Sequence, residues 1–450
     1  MGNQAKQNPA QKSIHQNGGF RSSFGFVLAC VGSAVGMGNI WMFPYRLGQY
    51  GGGAFLIPYI LFIVLFGLVG LSAEFAIGRR AKTGTLGVYE YCWGSRGKGK
   101  LGYLLGWIPL LGSLGIAIGY AIIVGWVLRA LAGSVTNTIL TTDAALFFSQ
   151  GTGNFGSVPW HIMVILIAAL VLMFGATKGI ERINKILMPS FFVLFAILAI
   201  RVAFLPGAIE GYRFLFIPKW ESLLKIDTWV MAMGQAFFSL SITGSGMMVY
   251  GTYLSKSEDI PKASIRTAIF DTIAAMLAAL AIMPAVFAFG IKPNAGPPLM
   301  FITLPNIFKQ MPMGQLFAIL FFLSVAFAGI TSLINMFEAV SESWQTRFHL
   351  SRKAAVALCS GITLLVGIFL EAEPNVGAWM DFITIIVVPF GAVLGAISIY
   401  YVLGYEEIKE ELEEGREKPL GAFFKPLAKY VYVPLAVVVF ILGILYGGIG

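Results

Sequence analysis

A glycine-rich, polar interruption inside an apolar segment is the feature that most constrains the fold of this chain. The interruption covers Gly32–Asn39, with glycine at positions 32, 36 and 38 and asparagine at its end. A glycine costs a helix about 1 kcal/mol relative to alanine, so the helix is predicted to unwind here. Within lipid, the freed backbone groups need other partners. The unwound turn is therefore expected to line a cavity, with a bound ion and a bound substrate as those partners.

The composition is that of a membrane protein. Hydrophobic residues make up 57% of the chain and charged residues 12%, against about 25% charged in a soluble protein. Uncharged runs such as Ala54–Ala73 reach the roughly 20 residues that cross a bilayer. We predict an all-α polytopic membrane protein with eleven spans, at 23–47, 53–79, 102–132, 158–176, 182–205, 228–254, 262–290, 312–347, 354–370, 375–404 and 427–449.

The distribution of Lys and Arg predicts the orientation. With the N-terminus in the cytoplasm, 23 of the 31 Lys and Arg residues fall in cytoplasmic segments, as the positive-inside rule requires. We therefore expect a multi-pass protein of the cell membrane with a cytoplasmic N-terminus. The basic residues are spread over membrane loops, so the net charge of +9 does not indicate nucleic-acid binding.

A second interruption, Ser239–Gly246, lies in span 6, five spans after the first. Matching interruptions in two halves indicate an inverted repeat with a binding site between the halves. The charge-dense segment 406–418 is predicted to be a solvated cytoplasmic helix. The predicted organisation is a cytoplasmic tail over 1–19, a first repeat over 20–206 with spans 1–5, a second repeat over 207–404 with spans 6–10, a cytoplasmic loop over 405–426, and span 11 over 427–450.

Polar side chains inside the predicted spans are candidates for function. The amide oxygen of Asn39 suits Na⁺ and could also cap the broken helix. Asp271 needs a cation nearby unless it is a protonated structural group. Thr331 and Ser332 offer hydroxyls, which could equally bond back to their own helix. For Glu74 we favour a structural role, in which the carboxylate accepts a backbone N–H from a broken helix. No catalytic motif is present, so an enzyme is not expected.

Four motifs resemble one known family. The runs 32–44, 51–59, 234–241 and 327–332 resemble helices 1, 2, 6 and 8 of the neurotransmitter:sodium symporters, and the resemblance extends from about residue 20 to 404. The eleven-span length is similar to the bacterial branch, which includes transporters of several hydrophobic amino acids. The resemblance implies sodium-coupled symport by alternating access. The spacing from Gly179 to Pro189 also resembles this family, in which it allows span 5 to unwind and hydrate a sodium ion.

The resemblance also implies site residues. The first sodium site would comprise the substrate carboxylate and Ala34, Asn39, Ser239 and Asp271. The second sodium site would comprise Gly32, Val35, Ala328, Thr331 and Ser332. The substrate carboxylate would meet the N–H groups of Met37 and Gly38 and the hydroxyl of Tyr120. The rest of the substrate would contact Ala34, Ile116, Phe238, Ser239, Ser241, Gly244, Leu333 and Met336.

Three departures from the family refine the expected substrate and ions. Gly36 stands where monoamine transporters carry an Asp, which favours an amino acid over a monoamine. Gly244 replaces a Phe of the leucine-selective member, so a larger pocket that admits aromatic side chains is expected. Asp271 replaces an Asn, and its charge could stand in for chloride, so no chloride requirement is expected.

The outer gate departs as well. Met42 stands in place of the usual Arg, while the acidic partner is present as Asp381. Arg46 lies one turn further along the same helix face, so we expect Arg46 to pair with Asp381, directly or through water.

The sequence therefore favours a sodium-coupled symporter of hydrophobic and aromatic L-amino acids. A carrier for another small amino acid or an osmolyte and a non-transporting amino-acid receptor of the same fold remain open. A channel is less favoured, because the two-half pattern is typical of transporters.

Overall fold

The computed structural model describes residues 19–290 and 298–448, so nearly all of the predicted tail at 1–19 lies outside the described residues. The described part consists of helices and their connections, without a strand. The main helices are α1 Ser23–Ala34, α2 Gly38–Gln49, α3 Gly53–Ala81, α4 Thr85–Gly94, α5 Gly99–Val135, α6 Val158–Met173, α7 Lys178–Ala203, α8 Ala208–Phe216, α9 Ile226–Ser239, α10 Gly246–Thr252, α11 Ile260–Ala288, α12 Leu304–Gln310, α13 Gly314–Phe348, α14 Arg352–Gly367, α15 Glu373–Glu413 and α16 Phe424–Leu445.

Helices occupy all eleven predicted spans, which confirms the all-α polytopic class. In the described part, seven helices are long and apolar enough to cross a membrane unaided, and the bent pair α1–α2 makes an eighth. The helices of the other predicted spans are shorter: α6 and α14 have 16 residues each, and span 6 divides into α9 and α10. Large apolar side chains such as Leu170 and Ile200 are more than half exposed on the outer surface, as lipid-facing residues are.

The first predicted break is present and sharp. Helix α1 ends at Ala34, α2 begins at Gly38, and their axes meet at 60°. Val35 takes an extended conformation, with φ −71° and ψ 107°, and its N–H closes the last turn of α1 on the Val31 carbonyl. Val35 is fully buried, so the unwound turn lies inside the helix bundle.

The second predicted break separates α9 from α10. Ser241 and Gly244 both have positive φ, 53° and 73°, which glycine adopts without strain and serine adopts at a cost. The Glu74 carboxylate accepts the Gly244 N–H at 2.7 Å, as the structural role predicted for Glu74 requires. The Tyr89 hydroxyl donates to the carbonyls of Gly244 and Gly391 at 3.3 and 3.2 Å. Side chains of α3 and α4 thus stabilise the break.

The two breaks lie beside the most buried helices. In the most apolar stretch of α5, 94% of the residues are buried, against 28% in α7. Helix α5 packs mainly on α13 and α4, and α7 packs on α13, α11 and α1. This arrangement places α5 and α13 against the breaks and α7 towards the outside.

The predicted solvated helix at 406–418 is partly wrong. Its first half continues α15, in which Ile408 and Leu412 are fully buried. Arg79, only 1% exposed, forms an ion pair with Glu411 and donates to the Glu258 carbonyl at 2.8 Å. The apolar residues between the charges bind this segment to the end of α3, a packing that charge density alone does not reveal.

Candidate functional site

Asn39 connects three helices at the first break. Its Oδ1 accepts the Gly36 N–H at 3.0 Å and so ties the unwound turn to the start of α2. Its Nδ2 lies 2.7 Å from Oδ1 of Asp271 and 3.2 Å from Oγ of Ser239. The Ser239 hydroxyl in turn donates to Oδ2 of Asp271 at 2.7 Å. The structure therefore brings together three of the side chains expected in the first sodium site.

This cluster has the chemistry of a cation site. Asp271 is fully buried in α11 and makes no ion pair with any described residue. An unpaired buried carboxylate is costly, and a bound cation offsets that cost. Carboxylate and hydroxyl oxygens are ligands that hard cations prefer, whereas Asn39 turns its amide nitrogen towards Asp271 in this structure. Ala34, the remaining member, lies on the wall of the adjacent cavity.

Ser332 collects carbonyl groups from the end of α1. Its Oγ lies 3.3, 3.2 and 3.1 Å from the carbonyl oxygens of Gly32, Ser33 and Val35. A hydroxyl has a single proton to donate, so three converging carbonyls exceed what Ser332 can satisfy. A cation is a suitable partner for the carbonyl oxygens that Ser332 leaves without a hydrogen bond.

Thr331 and Ala328 complete the residues expected in the second sodium site. The Thr331 hydroxyl donates back to the Ala328 and Phe327 carbonyls of its own helix, both at 3.0 Å. This is the helix-internal bonding that the sequence left open as the alternative role of Thr331. The Ala328 carbonyl and the Thr331 oxygen nevertheless lie within hydrogen-bond distance of each other, beside α1.

A cavity lies between the two breaks. Its wall also includes Val439 and Gly443 of α16. Most residues expected to contact the substrate line it: Ala34, Met37, Gly38, Ile116, Tyr120, Phe238, Ser239, Ser241 and Met336.

Gly244 and Leu333 do not line this cavity, so these two expectations differ from the structure. A Cβ placed on Gly244 would lie 2.5 Å from the Gly391 carbonyl oxygen and 2.7 Å from the Tyr89 hydroxyl. The residue faces α4 and α15, because the positive φ turns its Cα away from the cavity. Leu333 is fully buried in the core. The absence of a side chain at Gly244 therefore does not enlarge the pocket.

The polar end of the cavity is formed by Tyr120 and the turn before α2. The Met37 N–H donates to the Tyr120 hydroxyl at 3.1 Å. That hydroxyl also has a proton of its own to donate. The N-terminus of α2, the positive end of its dipole, faces the same region. An anionic group such as a carboxylate fits there.

Arg46 and Asp381 are not directly paired. The Arg46 guanidinium donates to Sδ of Met231 at 3.1 Å, and among the ion pairs of the described residues none joins Arg46 to Asp381. Asp381 is exposed near the start of α15. The expectation of a direct pair is therefore wrong in this structure, because Arg46 turns towards α9 instead.

Sequence reasoning missed Gln235. Its Nε2 donates to the Gly38 carbonyl at 3.0 Å, and its Oε1 is buried without a partner. Gln235 thus joins α9 to the start of α2 beside the cavity. A lone glutamine in an apolar helix is the signal that could have found it.

Three comparisons with known proteins agree with this geometry. A model of the sodium:neurotransmitter symporter family matches residues 17–145 and 140–447. An uncharacterized sodium-dependent transporter of Bacillus subtilis (strain 168), YhdH, is 32% identical over 443 residues, which cover 94% of this chain and 97% of that protein. Another, MJ1319 of Methanocaldococcus jannaschii, is 31% identical and covers 93% of this chain and 89% of its own length.

The solved structure of MhsT in complex with L-phenylalanine is similar as well. It matches with a TM-score of 0.83 and 31% identity, and the match covers 95% of this chain and 99% of that one. The family model covers nearly the whole chain, and the similarity in structure extends over nearly the same length. The chain therefore belongs to the sodium:neurotransmitter symporter family, a family of sodium-dependent membrane transporters and not of enzymes.

Proposed function

We propose that this protein is a sodium-coupled symporter of hydrophobic and aromatic L-amino acids that works by alternating access. The observation that carries the proposal is the cavity between the two helix breaks, which has one polar end and otherwise mainly apolar walls. An amino acid supplies a carboxylate for the polar end and a side chain for the apolar walls. MhsT, the similar protein of known structure, was crystallised with L-phenylalanine, which has this chemistry.

The carboxylate would bind at the start of α2. The N–H groups of Met37 and Gly38 and the Tyr120 hydroxyl are the donors, and the helix dipole favours a negative charge there. The bond from Met37 to Tyr120 supports this assignment, because it orients the phenolic oxygen at the unwound turn.

The cavity lining around the expected position of the substrate amine favours an amino acid over a monoamine. The described lining of the cavity contains no acidic side chain. An Asp at position 36 would have no room, since a Cβ on Gly36 would lie 2.5 Å from the Tyr120 hydroxyl and 2.8 Å from Ser332 Oγ. The amine is therefore left to carbonyl and hydroxyl oxygens around the breaks, which suffice when the substrate carries its own carboxylate.

Apolar walls set the class of side chain. Ile116, Phe238 and Met336 come from three different helices, and methionine adapts its shape to different ligands. Val439 and Gly443 extend the wall to α16, which leaves length for an aromatic ring. The proposed class of substrate side chain, hydrophobic or aromatic, thus rests on the cavity as a whole and not on Gly244.

Two sodium ions would be transported with the substrate. The first would bind between Asn39, Ser239, Asp271 and the substrate carboxylate, together with the Ala34 carbonyl. The second would bind between the end of α1 and α13. Because the first ion and the substrate touch, each should tighten the binding of the other by the same factor. The Asp271 carboxylate supplies a fixed negative charge, so no chloride is required.

Binding to the purified protein tests the substrate class. Labelled leucine and labelled tryptophan should both bind in sodium chloride and bind far more weakly in choline chloride, with unlabelled phenylalanine competing. Glycine betaine and γ-aminobutyrate should not compete. Competition by those two and none by phenylalanine would replace the proposal with the osmolyte or small-amino-acid carrier. A Tyr120→Phe variant should weaken all the amino acids alike, because the hydroxyl serves their common carboxylate.

A further inference from the structure

Asn184 on α7 has a buried amide oxygen without a hydrogen-bond partner. The residue is fully buried, and its Nδ2 donates to the Ile180 carbonyl of its own helix at 2.9 Å. Its Oδ1 has no partner among the described residues. Leaving such an acceptor unpaired in the protein interior costs about 1–3 kcal/mol. A buried unsatisfied group of this kind calls for an unseen partner.

The orientation of the amide is determined by its neighbours. The Ile180 carbonyl can only accept a hydrogen bond, so the nitrogen of Asn184 must face it. Turning the amide over would set two oxygens against each other at 2.9 Å. The oxygen therefore has to face the opposite way, towards α1 and α13.

The oxygen faces two residues of the second sodium site. A Cβ on Gly32 would collide with Oδ1 of Asn184, and the same Cβ would lie 3.1 Å from Cβ of Thr331. Glycine at position 32 thus lets the amide oxygen approach the end of α1 beside Thr331. The other ligands expected of this site are carbonyls and hydroxyls without formal charge.

We propose that Oδ1 of Asn184 is an additional ligand of the sodium ion at the second site. The inference rests on the proposed function, since it needs sodium at that site. A hard cation takes oxygen ligands, and this oxygen is buried, unpaired and fixed in direction. A sodium ion gives the buried oxygen the partner that the protein does not.

The same residue ties the ion to the cytoplasmic end of α7. One turn before Asn184, the Glu181 carboxylate accepts the Arg21 N–H at 2.8 Å and the Lys185 ammonium at 2.5 Å. Asn184 lies between Gly179 and Pro189 and bonds back to Ile180. Unwinding of this turn would break that bond and move the amide oxygen away from Gly32. Loss of a sodium ligand and opening of α7 would then be one event.

Sodium binding is measured without amino acid, because the first site then lacks one of its ligands, the substrate carboxylate. The full-length protein is titrated with ²²Na⁺, and its thermal unfolding is followed against sodium chloride at constant ionic strength with choline chloride. Asn184→Leu keeps the branched shape of the side chain and removes the oxygen. We expect its half-saturating sodium concentration to rise about tenfold. Its unfolding temperature in choline chloride should equal or exceed that of the wild type, because no orphan acceptor remains.

Two further variants separate the possible causes. Met188→Ala is the packing control, because Met188 lies one turn along the same buried face of α7. We expect it to lower the unfolding temperature and to leave the sodium titration unchanged. Asn184→Ala repeats the loss of the oxygen should the leucine variant not fold. A wild-type titration curve in the Asn184 variants overturns the inference alone. A wild-type protein that does not respond to sodium overturns the proposed function, and the inference with it.

Discussion

The side-chain nitrogen of Asn39 lies 2.7 Å from Oδ1 of Asp271, which joins the half-helix α2 to the middle of α11 at the first break. Ser239 bonds the other oxygen of the same carboxylate. The polar side chains that the proposal assigns to the first sodium ion thus already hold one another in place. A cation that displaced the Asn39 nitrogen from Asp271 would find the carboxylate of Asp271 and the hydroxyl oxygen of Ser239 already close together.

Replacing Asp271 by Asn should create a requirement for chloride. The change removes the fixed negative charge beside the proposed first sodium ion and keeps the volume of the side chain. We expect amino-acid uptake by Asp271→Asn to fall at least tenfold in gluconate and to recover substantially in chloride. The wild type, measured in both salts, is the control. A variant equally active in chloride and gluconate would refute the role given to the carboxylate.

Replacing Ser332 by Ala should weaken sodium binding more than amino-acid binding. The Ser332 hydroxyl oxygen is one of the ligands proposed for the second sodium ion, and it lies beside the Gly32, Ser33 and Val35 carbonyls that would share the ion. We expect the half-saturating sodium concentration to rise about tenfold. At saturating sodium the affinity for leucine should stay within about threefold. Ser324→Ala, a buried serine on α13 that bonds only to its own helix, is the matched control.

Replacing Glu74 by Ala should destabilise the second break. The change leaves the Gly244 N–H buried without its acceptor, which costs about 1–3 kcal/mol. We expect a lower unfolding temperature and slower transport. Glu74→Gln, which keeps an acceptor oxygen, should lose less of both. Equal losses in the two variants would mean that the charge of Glu74 matters and not the hydrogen bond.

Replacing Gly244 by Ala should damage folding and not narrow the pocket. The added methyl group meets the Gly391 carbonyl and the Tyr89 hydroxyl, and the positive φ adds strain. We expect poor yield or a markedly lower unfolding temperature. The prediction is contradicted if Gly244→Ala is stable and prefers leucine over tryptophan more strongly than the wild type does. Gly244 would then be a pocket residue after all.

The sequence predicted much of the site because polar residues are scarce in this chain. Asn39, Asp271 and Ser332 stand out in apolar segments, and the structure places them around the breaks. The helix breaks themselves were predictable, since glycine and polar residues interrupt long apolar runs there.

Other features depended on three-dimensional neighbours and were not predictable. Similarity placed Gly244 opposite a phenylalanine in a relative, but similarity does not give the backbone φ that turns it away from the cavity. The sequence did not show which group Arg46 contacts, and in the fold its guanidinium donates to Met231. Asn184 became a candidate only once its oxygen proved to be buried beside Gly32.

Concentrative uptake into proteoliposomes tests the central claim most directly. Labelled tryptophan and labelled leucine are presented with an inward sodium gradient, with equal sodium on both sides, and with choline in place of sodium. The account predicts accumulation of both amino acids above the external concentration with the gradient alone, and loss of accumulation when sodium is equal. Equal uptake in choline, or sodium-dependent binding without any accumulation, would contradict it, and the latter result would identify a receptor.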